Sequence, residues 1–340
     1  MVARLNRHNS FNLIRILAAL AVLVSHSFPL TGALDPLGGW IGMTGGNIAV
    51  DVFFVASGFL VTSSLMARSS LMDFLKARAL RIYPGLIVML VLTVFVLGPA
   101  ITSLPAHDYL QSRDTYHYLL KCATLLNGVE YHLPGVFETN PMSGAVNGSL
   151  WSMPVEVRLY ALLALIWLPL GLFGRFKLSL FSGLTVLLAV TAGCLVVSTH
   201  LNGEPESAAL RLIFMFFTGA AFFCLKSRVP LSGRILAALR FVLGACAFSR
   251  LAFHVAYMLS LGYLVLLLAY VPTGRIRNYN KVGDYSYGVY IYAFPVQQTI
   301  VWLAPGLSPI ELVCLALPIV IGLAMLSWHL LEKRALAWAR

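Results

Sequence analysis

The sequence contains few charged residues. Asp, Glu, Lys and Arg make up only 11% of its 340 residues, with 13 acidic residues against 24 basic ones. Soluble globular domains carry about 25% charged residues, so this content argues against a soluble protein. Hydrophobic residues reach 59% and recur in long uninterrupted runs. Runs of about twenty apolar residues are long enough to cross a membrane. The composition therefore predicts an all-α, polytopic transmembrane helical bundle.

Cysteine is also scarce. The five cysteines are odd in number, lie mostly inside the apolar runs, and show neither the spacing of a metal site nor that of a disulfide framework. We therefore predict no metal cofactor and no disulfide scaffold. The cysteines are Cys122, Cys194, Cys224, Cys246 and Cys314.

The apolar runs predict about ten membrane spans in a single domain that covers residues 1–340. One connection, at about 102–150, is much longer than the others and is assigned to the outer side. The predicted spans are 12–31, 45–67, 84–101, 151–173, 178–199, 208–226, 231–248, 252–272, 285–304 and 309–331.

The distribution of Lys and Arg predicts that both termini are cytoplasmic, because basic residues concentrate in cytoplasmic loops. With this orientation only Arg113, Lys121 and Arg250 fall outside. The formal charge of +11 is then explained by anchoring to anionic membrane lipids, without any nucleic-acid partner. The basic residues placed inside are Arg4, Arg7, Arg68, Lys76, Arg78, Arg81, Arg175, Lys177, Lys226, Arg228, Arg234, Arg275, Arg277, Lys281, Lys333, Arg334 and Arg340.

The first span carries two ionisable residues, Arg15 and His26. A step of eleven residues returns to nearly the same face of a helix and separates the two groups by roughly 16 Å. Ionisable residues inside membrane spans are costly and usually functional. We therefore expect this stripe to belong to a functional site.

Three ionisable residues are predicted to lie at a similar depth. His26 is near the outer end of the first span, Asp51 is six residues into the second, and Glu156 is near the outer end of the fourth. On the fourth span, Ser149, Ser152, Glu156 and Tyr160 form a polar stripe, which we expect to face protein or water and not lipid. Ser57 and Gly58 favour close packing of the second span.

A second basic group lies on the cytoplasmic side. Arg78 and Arg81 are three residues apart and share one face of a helix. Such a pair can bind phosphates bidentately, although anchoring at the membrane surface explains it equally well. Together with Arg15, the pair would suit the phosphates of coenzyme A.

The long outer connection is rich in carboxylates, His and Tyr. This composition fits a carbohydrate surface, and it fits equally well an interfacial cap over the bundle. Its three histidines, His107, His117 and His132, have no ligand-like spacing, so we expect them to be solvated.

Six sequence elements occur in the order found in the integral-membrane acyltransferase family 3, and the chain resembles this family over nearly its whole length. The family comprises bacterial O-acyltransferases that modify surface glycans. The elements are FNLIRILAALAVLVSHSF, AVDVFFVASGFLVT, FLKARALRIYP, GSLWSMPVEVRLY, DYSYGVYIYAFPV and LLEKR.

The resemblance implies transfer of an acyl group, most simply acetyl from acetyl-CoA, to a hydroxyl of a cell-surface or lipid-linked glycan at the bacterial inner membrane. Imidazole titrates near neutrality and suits the base that such a transfer needs, so His26 is assigned this role. Asp51 or Glu156 would orient it. Whether His26 only removes a proton or is itself acylated stays open. Oligomeric state is not predicted.

The donor acetyl-CoA is assigned to Arg15, Arg78 and Arg81. Two departures from the family pattern concern other residues. Many members have His where this chain has Ala293, two residues before Pro295, and the fourth span carries an unusual Arg158. We expect Arg158 to pair with a carboxylate or to face a polar pocket.

A proton-coupled transporter of a small anionic or acylated metabolite is the alternative from another class, because such carriers also place Asp, Glu and His in spans. The sequence shows no inverted repeat and no pair of broken helices in corresponding halves, which are typical of carriers. An enzyme is therefore the favoured prediction.

Overall fold

The computed structural model describes residues 9–68, 70–272 and 274–338. Within these ranges the regular elements are helical, apart from an isolated antiparallel bridge between His132 and Ala145. The predicted all-α class is confirmed. Arg4, Arg7 and Arg340, which contributed to the predicted orientation, lie outside the described residues, as does the side chain of Arg275.

The main helical segments are numbered in chain order. They are α1 (Phe11–Leu30), α2 (Gly45–Ala67), α3 (Leu71–Ile101), α4 (Ala106–Gln111), α5 (Arg113–Thr124), α6 (Gly148–Trp167), α7 (Pro169–Leu201), α8 (Ala208–Cys224), α9 (Gly233–Cys246), α10 (Arg250–Tyr270), α11 (Ser286–Leu303) and α12 (Pro309–Ala337).

Each predicted span overlaps one of these helices, but fewer helices than predicted satisfy the requirements of a membrane span. In the described ranges, seven are long and apolar enough to cross a bilayer: α1, α2, α3, α6, α7, α10 and α12. Helix α8 has 17 residues and α9 has 14. The structure thus supports a multi-pass membrane protein, whereas the count of about ten and the cytoplasmic termini stay predictions.

The described residues divide into two compact units. The first comprises residues within 9–18, 36–74 and 159–283, and the second comprises 19–35, 75–158 and 284–338. Helix α1 contributes residues to both units, so Arg15 belongs to the first and His26 to the second.

In the first unit, α8 packs against both α2 and α7. The crossing of α2 and α8 depends on two glycines. A Cβ atom on Gly58 would collide with the carbonyl oxygen of Phe216, and one on Gly219 would collide with that of Val55. The prediction that Gly58 serves close packing is confirmed, because the two backbones are in direct contact.

In the second unit, α11 packs against α12 around a buried cluster of Leu30, Phe294, Val301 and Leu312. Several polar side chains of α11 find hydrogen-bond partners in the protein. Gln297 is fully buried and donates to the carbonyl oxygen of Leu23 at 2.9 Å and to Ser27 Oγ at 2.6 Å. A membrane protein can bury such amides only when they find partners of this kind.

The long connection of the second unit is ordered by its own buried residues. Tyr109 is fully buried, and its hydroxyl donates to the carbonyl oxygen of Val94 at 2.9 Å. Burial raises the pKa of Tyr109 to about 12, so this hydroxyl keeps its proton at neutral pH. The three histidines of the connection are exposed, with side-chain values of 74% for His107, 60% for His117 and 65% for His132, as predicted.

Candidate active site

His26 lies on α1 beside the start of α6. Its imidazole is half-buried and meets the ring of Phe294 edge-on, with 5.3 Å between the ring centroids. Its Nδ1 atom lies 3.4 Å from the hydroxyl oxygen of Ser149. The hydroxyl is therefore placed where it can orient the imidazole, and the sequence had suggested Ser149 only as part of a polar stripe.

Ser149 is held in place by α11. The hydroxyl of Tyr290 donates to the carbonyl oxygen of Ser149 at 2.7 Å and lies 2.7 Å from the hydroxyl of Ser152. Gly148 brings this segment against α11, since a Cβ atom there would come within 2.6 Å of the Phe294 ring. The surroundings of His26 are thus fixed by a buried set of contacts between α6 and α11.

A proline in α11 explains why Asn147 is buried beside this site. Proline has no N–H, so Pro295 leaves the carbonyl oxygen of Ile291, four residues earlier, without its helical donor. Asn147 is fully buried, and its side-chain amide donates to this oxygen at 2.9 Å. Asn147 therefore compensates for the missing backbone hydrogen bond and ties the beginning of α6 to α11.

Replacing Asn147 by leucine should lower the free energy of unfolding by about 1–3 kcal/mol, because a buried carbonyl oxygen would lose its donor. The double variant Asn147→Leu/Pro295→Ala should recover part of this loss, since alanine restores the backbone N–H. Thermal unfolding in detergent measures both variants. Equal stability of Asn147→Leu and the wild type would contradict this account.

The predicted polar stripe on α6 is buried in the protein, as expected. Ser149, Ser152 and Tyr160 are buried, and Glu156 is half-buried one helical turn after Ser152. Glu156 belongs to the same unit as His26. Arg158 points elsewhere: its guanidinium donates to the carbonyl oxygen of Leu126 at 2.6 Å. The partner of Arg158 is therefore a backbone carbonyl oxygen and not the expected carboxylate, and the alternative of a polar pocket stays a prediction.

Asp51 is fully buried in the first unit beside a cation that the sequence did not suggest. Arg211 Nε lies 3.1 Å from one carboxylate oxygen of Asp51, and the hydroxyl of Tyr257 donates to the other at 2.8 Å. Arg211 also lies 3.6 Å from Glu206. The opposite charges compensate each other, because burying either charge without a partner would be strongly destabilising.

The same group contains two histidines of the first unit. His254 is buried, stacks on His200 with 4.0 Å between ring centroids, and lies 3.6 Å from Glu206. His254 and Arg211 lie near the starts of apolar segments, where a charged residue is usually assigned to the adjoining loop. This position is why a sequence pattern does not single them out.

Of the three arginines assigned to the donor, Arg15 belongs to the first unit, and Arg78 and Arg81 belong to the second. Arg15 and Arg78 are half-buried. Arg81 lies 2.7 Å from Asp284 and 3.4 Å from Glu332, and its side chain is only 11% exposed. A phosphate bound at Arg81 would therefore have to share the guanidinium with two carboxylates.

The ion pairs of Arg81 connect three of the six sequence elements. Arg81 lies in FLKARALRIYP, Asp284 begins DYSYGVYIYAFPV, and Glu332 lies in LLEKR. Glu332 is buried and accepts a further hydrogen bond from Ser327 at 2.8 Å. Three segments that are far apart in the sequence thus meet at one buried guanidinium.

Comparison with known proteins gives consistent matches. The family model described as an acyltransferase domain matches residues 8–329. An O-acetyl transferase of Shigella phage Sf6 is 29% identical over 348 residues, covering 98% of this chain and 97% of that protein. Nodulation protein 10 of Rhizobium leguminosarum bv. viciae is 28% identical over 366 residues, covering 96% and 93%. No solved structure is significantly similar.

The family match extends over almost the whole chain, including the His26, Asp51, Arg81 and Glu156 elements. It agrees with the resemblance drawn from the six motifs and with the seven apolar helices found among the described residues. The chain therefore belongs to the integral-membrane acyltransferase family 3 and is a multi-pass membrane acyltransferase.

Proposed function

We propose that this enzyme transfers an acetyl group from acetyl-CoA to a hydroxyl of a cell-surface or lipid-linked glycan, at the bacterial inner membrane, with His26 as the general base. The main support is the surroundings of His26, an imidazole fixed beside Ser149 within a chain of this family. The O-acetyl transferase relative supports acetyl as the transferred group.

The chemistry requires a base because a sugar hydroxyl is a weak nucleophile at neutral pH. His26 removes the hydroxyl proton while the oxygen attacks the thioester carbonyl carbon. The carbon–sulfur bond then breaks, and the coenzyme A thiolate leaves and takes up the proton from the imidazolium. The products are the acetyl ester and free coenzyme A, and His26 returns to its neutral form.

Glu156 or Asp51 stabilises the imidazolium that forms on His26, as a carboxylate does in hydrolase triads. Arg15, Arg78 and Arg81 bind the phosphates of acetyl-CoA. The structure supports Glu156 more directly, because it belongs to the unit of His26, whereas Asp51 is engaged by Arg211 and Tyr257.

The donor is made in the cytoplasm and many surface glycans lie outside, so the proposal includes a defined sidedness. Vesicles of both orientations, supplied with acetyl-CoA labelled in the acetyl group, test it. We expect labelled glycan when the cytoplasmic face receives the donor. Transfer that requires the donor only at the outer face would contradict the arrangement.

Mass spectrometry of surface glycans, from cells with and without the enzyme, tests the reaction itself. An acetyl mass difference on a sugar is expected, and fragmentation identifies the sugar. Identical glycans in both strains, with the protein inserted in the membrane, would contradict the proposed acceptor class. The alternative of a metabolite carrier has no support from the family match.

A further inference from the structure

The long connection between α3 and α6 contains a polar cavity of about 520 Å³, which we call the outer cavity. Ligand sites commonly have volumes of about 300–1,000 Å³, so the outer cavity is large enough for a sugar unit. The polar side chains that line it come from α5 and from the chain that follows. They are Asp114, His117, Glu130, His132, Glu138 and Ser143.

The walls of the outer cavity are fixed by hydrogen bonds. The backbone N–H of Ser103 donates to the carbonyl oxygen of Gly135 at 2.9 Å, and the Ser103 hydroxyl donates to the Glu138 carboxylate at 2.9 Å. The backbone N–H of Gly144 donates to the carbonyl oxygen of Phe137 at 3.0 Å. Because the walls are already ordered, binding of a ligand costs less conformational entropy.

Glu130 lies between two imidazoles at one side of the cavity. Its carboxylate oxygens are 3.8 Å from His117 Nδ1 and 3.7 Å from His132 Nδ1, and it forms an ion pair with Lys121 at 3.2 Å. Burial acts to raise the pKa of Glu130, but hydrogen bonds from Lys121 and from the Tyr131 backbone lower it below the ordinary value. Glu130 is therefore a carboxylate at neutral pH.

The charge of the lining restricts what the cavity can bind. The described residues around it include three carboxylates and no Lys or Arg, and Lys121 is engaged by Glu130. Phosphates and acidic sugars would be repelled, which excludes acetyl-CoA as the ligand. Carboxylates and imidazoles accept and donate hydrogen bonds, which suits the many hydroxyls of a neutral sugar.

We propose that the outer cavity binds an uncharged sugar unit of the acceptor glycan and so contributes to the choice of acceptor. This inference rests on the proposed function for the identity of the ligand. It favours a carbohydrate surface over an interfacial cap for the long connection, because a cap would need no polar cavity with fixed walls.

The same segment offers a matched pair of variants. Asp114→Asn/His132→Ala removes one negative charge and one imidazole from the outer cavity, whereas Asp108→Asn/His107→Ala makes the same changes at an exposed Asp and His outside its lining. The full-length enzyme in lipid nanodiscs is mixed with delipidated, unacetylated polysaccharide from cells lacking the gene. Saturation-transfer NMR measures binding, and labelled acetyl-CoA measures transfer.

We expect the cavity variant to weaken polysaccharide binding and raise the acceptor KM by about tenfold or more, the loss expected for one charge-assisted hydrogen bond. The KM for acetyl-CoA should not change, and the control variant should match the wild type. Coenzyme A should not displace the polysaccharide.

Equal effects of the two double variants, a change in the KM for acetyl-CoA, or displacement by coenzyme A would overturn the inference. A different result is expected if the proposed acetyl transfer itself is wrong. In that case the wild type would transfer no acetyl group, although cavity-dependent binding of polysaccharide could still be measured.

Discussion

Replacing His26 by alanine should lower acyl transfer by about 10²–10⁴-fold, the contribution typical of a general base, without removing the protein from the membrane. The imidazole is half-buried beside Phe294 and Ser149, so alanine leaves the polar contacts between α6 and α11 intact. Labelled acetyl incorporation, divided by the amount of inserted protein, measures the effect. Ser149→Ala should reduce transfer less, because Ser149 acts by orienting the imidazole.

A second histidine provides the control. His329, in α12, lies 3.1 Å from the Tyr285 hydroxyl and has no part in the proposed reaction, so His329→Ala should transfer at the wild-type rate. Full activity of His26→Ala would show that the base is another group. A rapid-quench search for acetyl on His26 separates proton removal from covalent catalysis, since only the latter leaves a modified peptide.

Replacing Asp51 by leucine should lower the free energy of unfolding by about 3–5 kcal/mol, the cost of removing one partner of a buried ion pair, because Arg211 would keep only the carboxylate of Glu206 at 3.6 Å. Arg211 is 4% exposed and would lose the carboxylate that lies 3.1 Å from its Nε atom. The double variant Asp51→Leu/Arg211→Met removes both charges and should regain most of the stability. Chemical denaturation in detergent measures all three proteins.

The activity of the double variant then separates two roles for Asp51. A folded double variant that transfers acetyl normally would show that Asp51 serves the structure alone. A folded double variant without activity would support the proposed role of Asp51 in stabilising the imidazolium of His26. Wild-type stability of Asp51→Leu would contradict the importance of the ion pair.

The sequence predicted the long apolar helices, because apolar runs bounded by polar residues are a local signal, but it predicted neither α4 nor α5 in the long connection. It was less informative about which helices are long and apolar enough to span a bilayer. Helix α11 illustrates the reason. Its glutamines and tyrosines lower its hydropathy, yet Gln297 and Gln298 are fully buried and bonded to other parts of the second unit. Hydropathy counts these amides as polar and cannot register their partners.

The candidate site was predictable only where its signal is local. His26 and the stripe from Ser149 to Glu156 stand out because polar groups interrupt apolar runs. The partners of Arg81 are 203 and 251 residues away in the sequence. Those of Asp51, Arg211 and Tyr257, are 160 and 206 residues away, as the numbering shows. No spacing rule connects such distant residues, so the ion pairs formed by Arg211, Asp284 and Glu332 were not predicted.

The crossing of α2 and α8 affects how the protein is made. Gly58 and Gly219 are 161 residues apart, the difference of their numbers. At a synthesis rate of about 5–20 residues per second, the ribosome needs roughly 8–30 s between them. Throughout that interval α2 lacks both its packing contact with Gly219 of α8 and the ion pair between Asp51 and Arg211. The crossing of α2 and α8 can therefore form only after Gly219 has been synthesised.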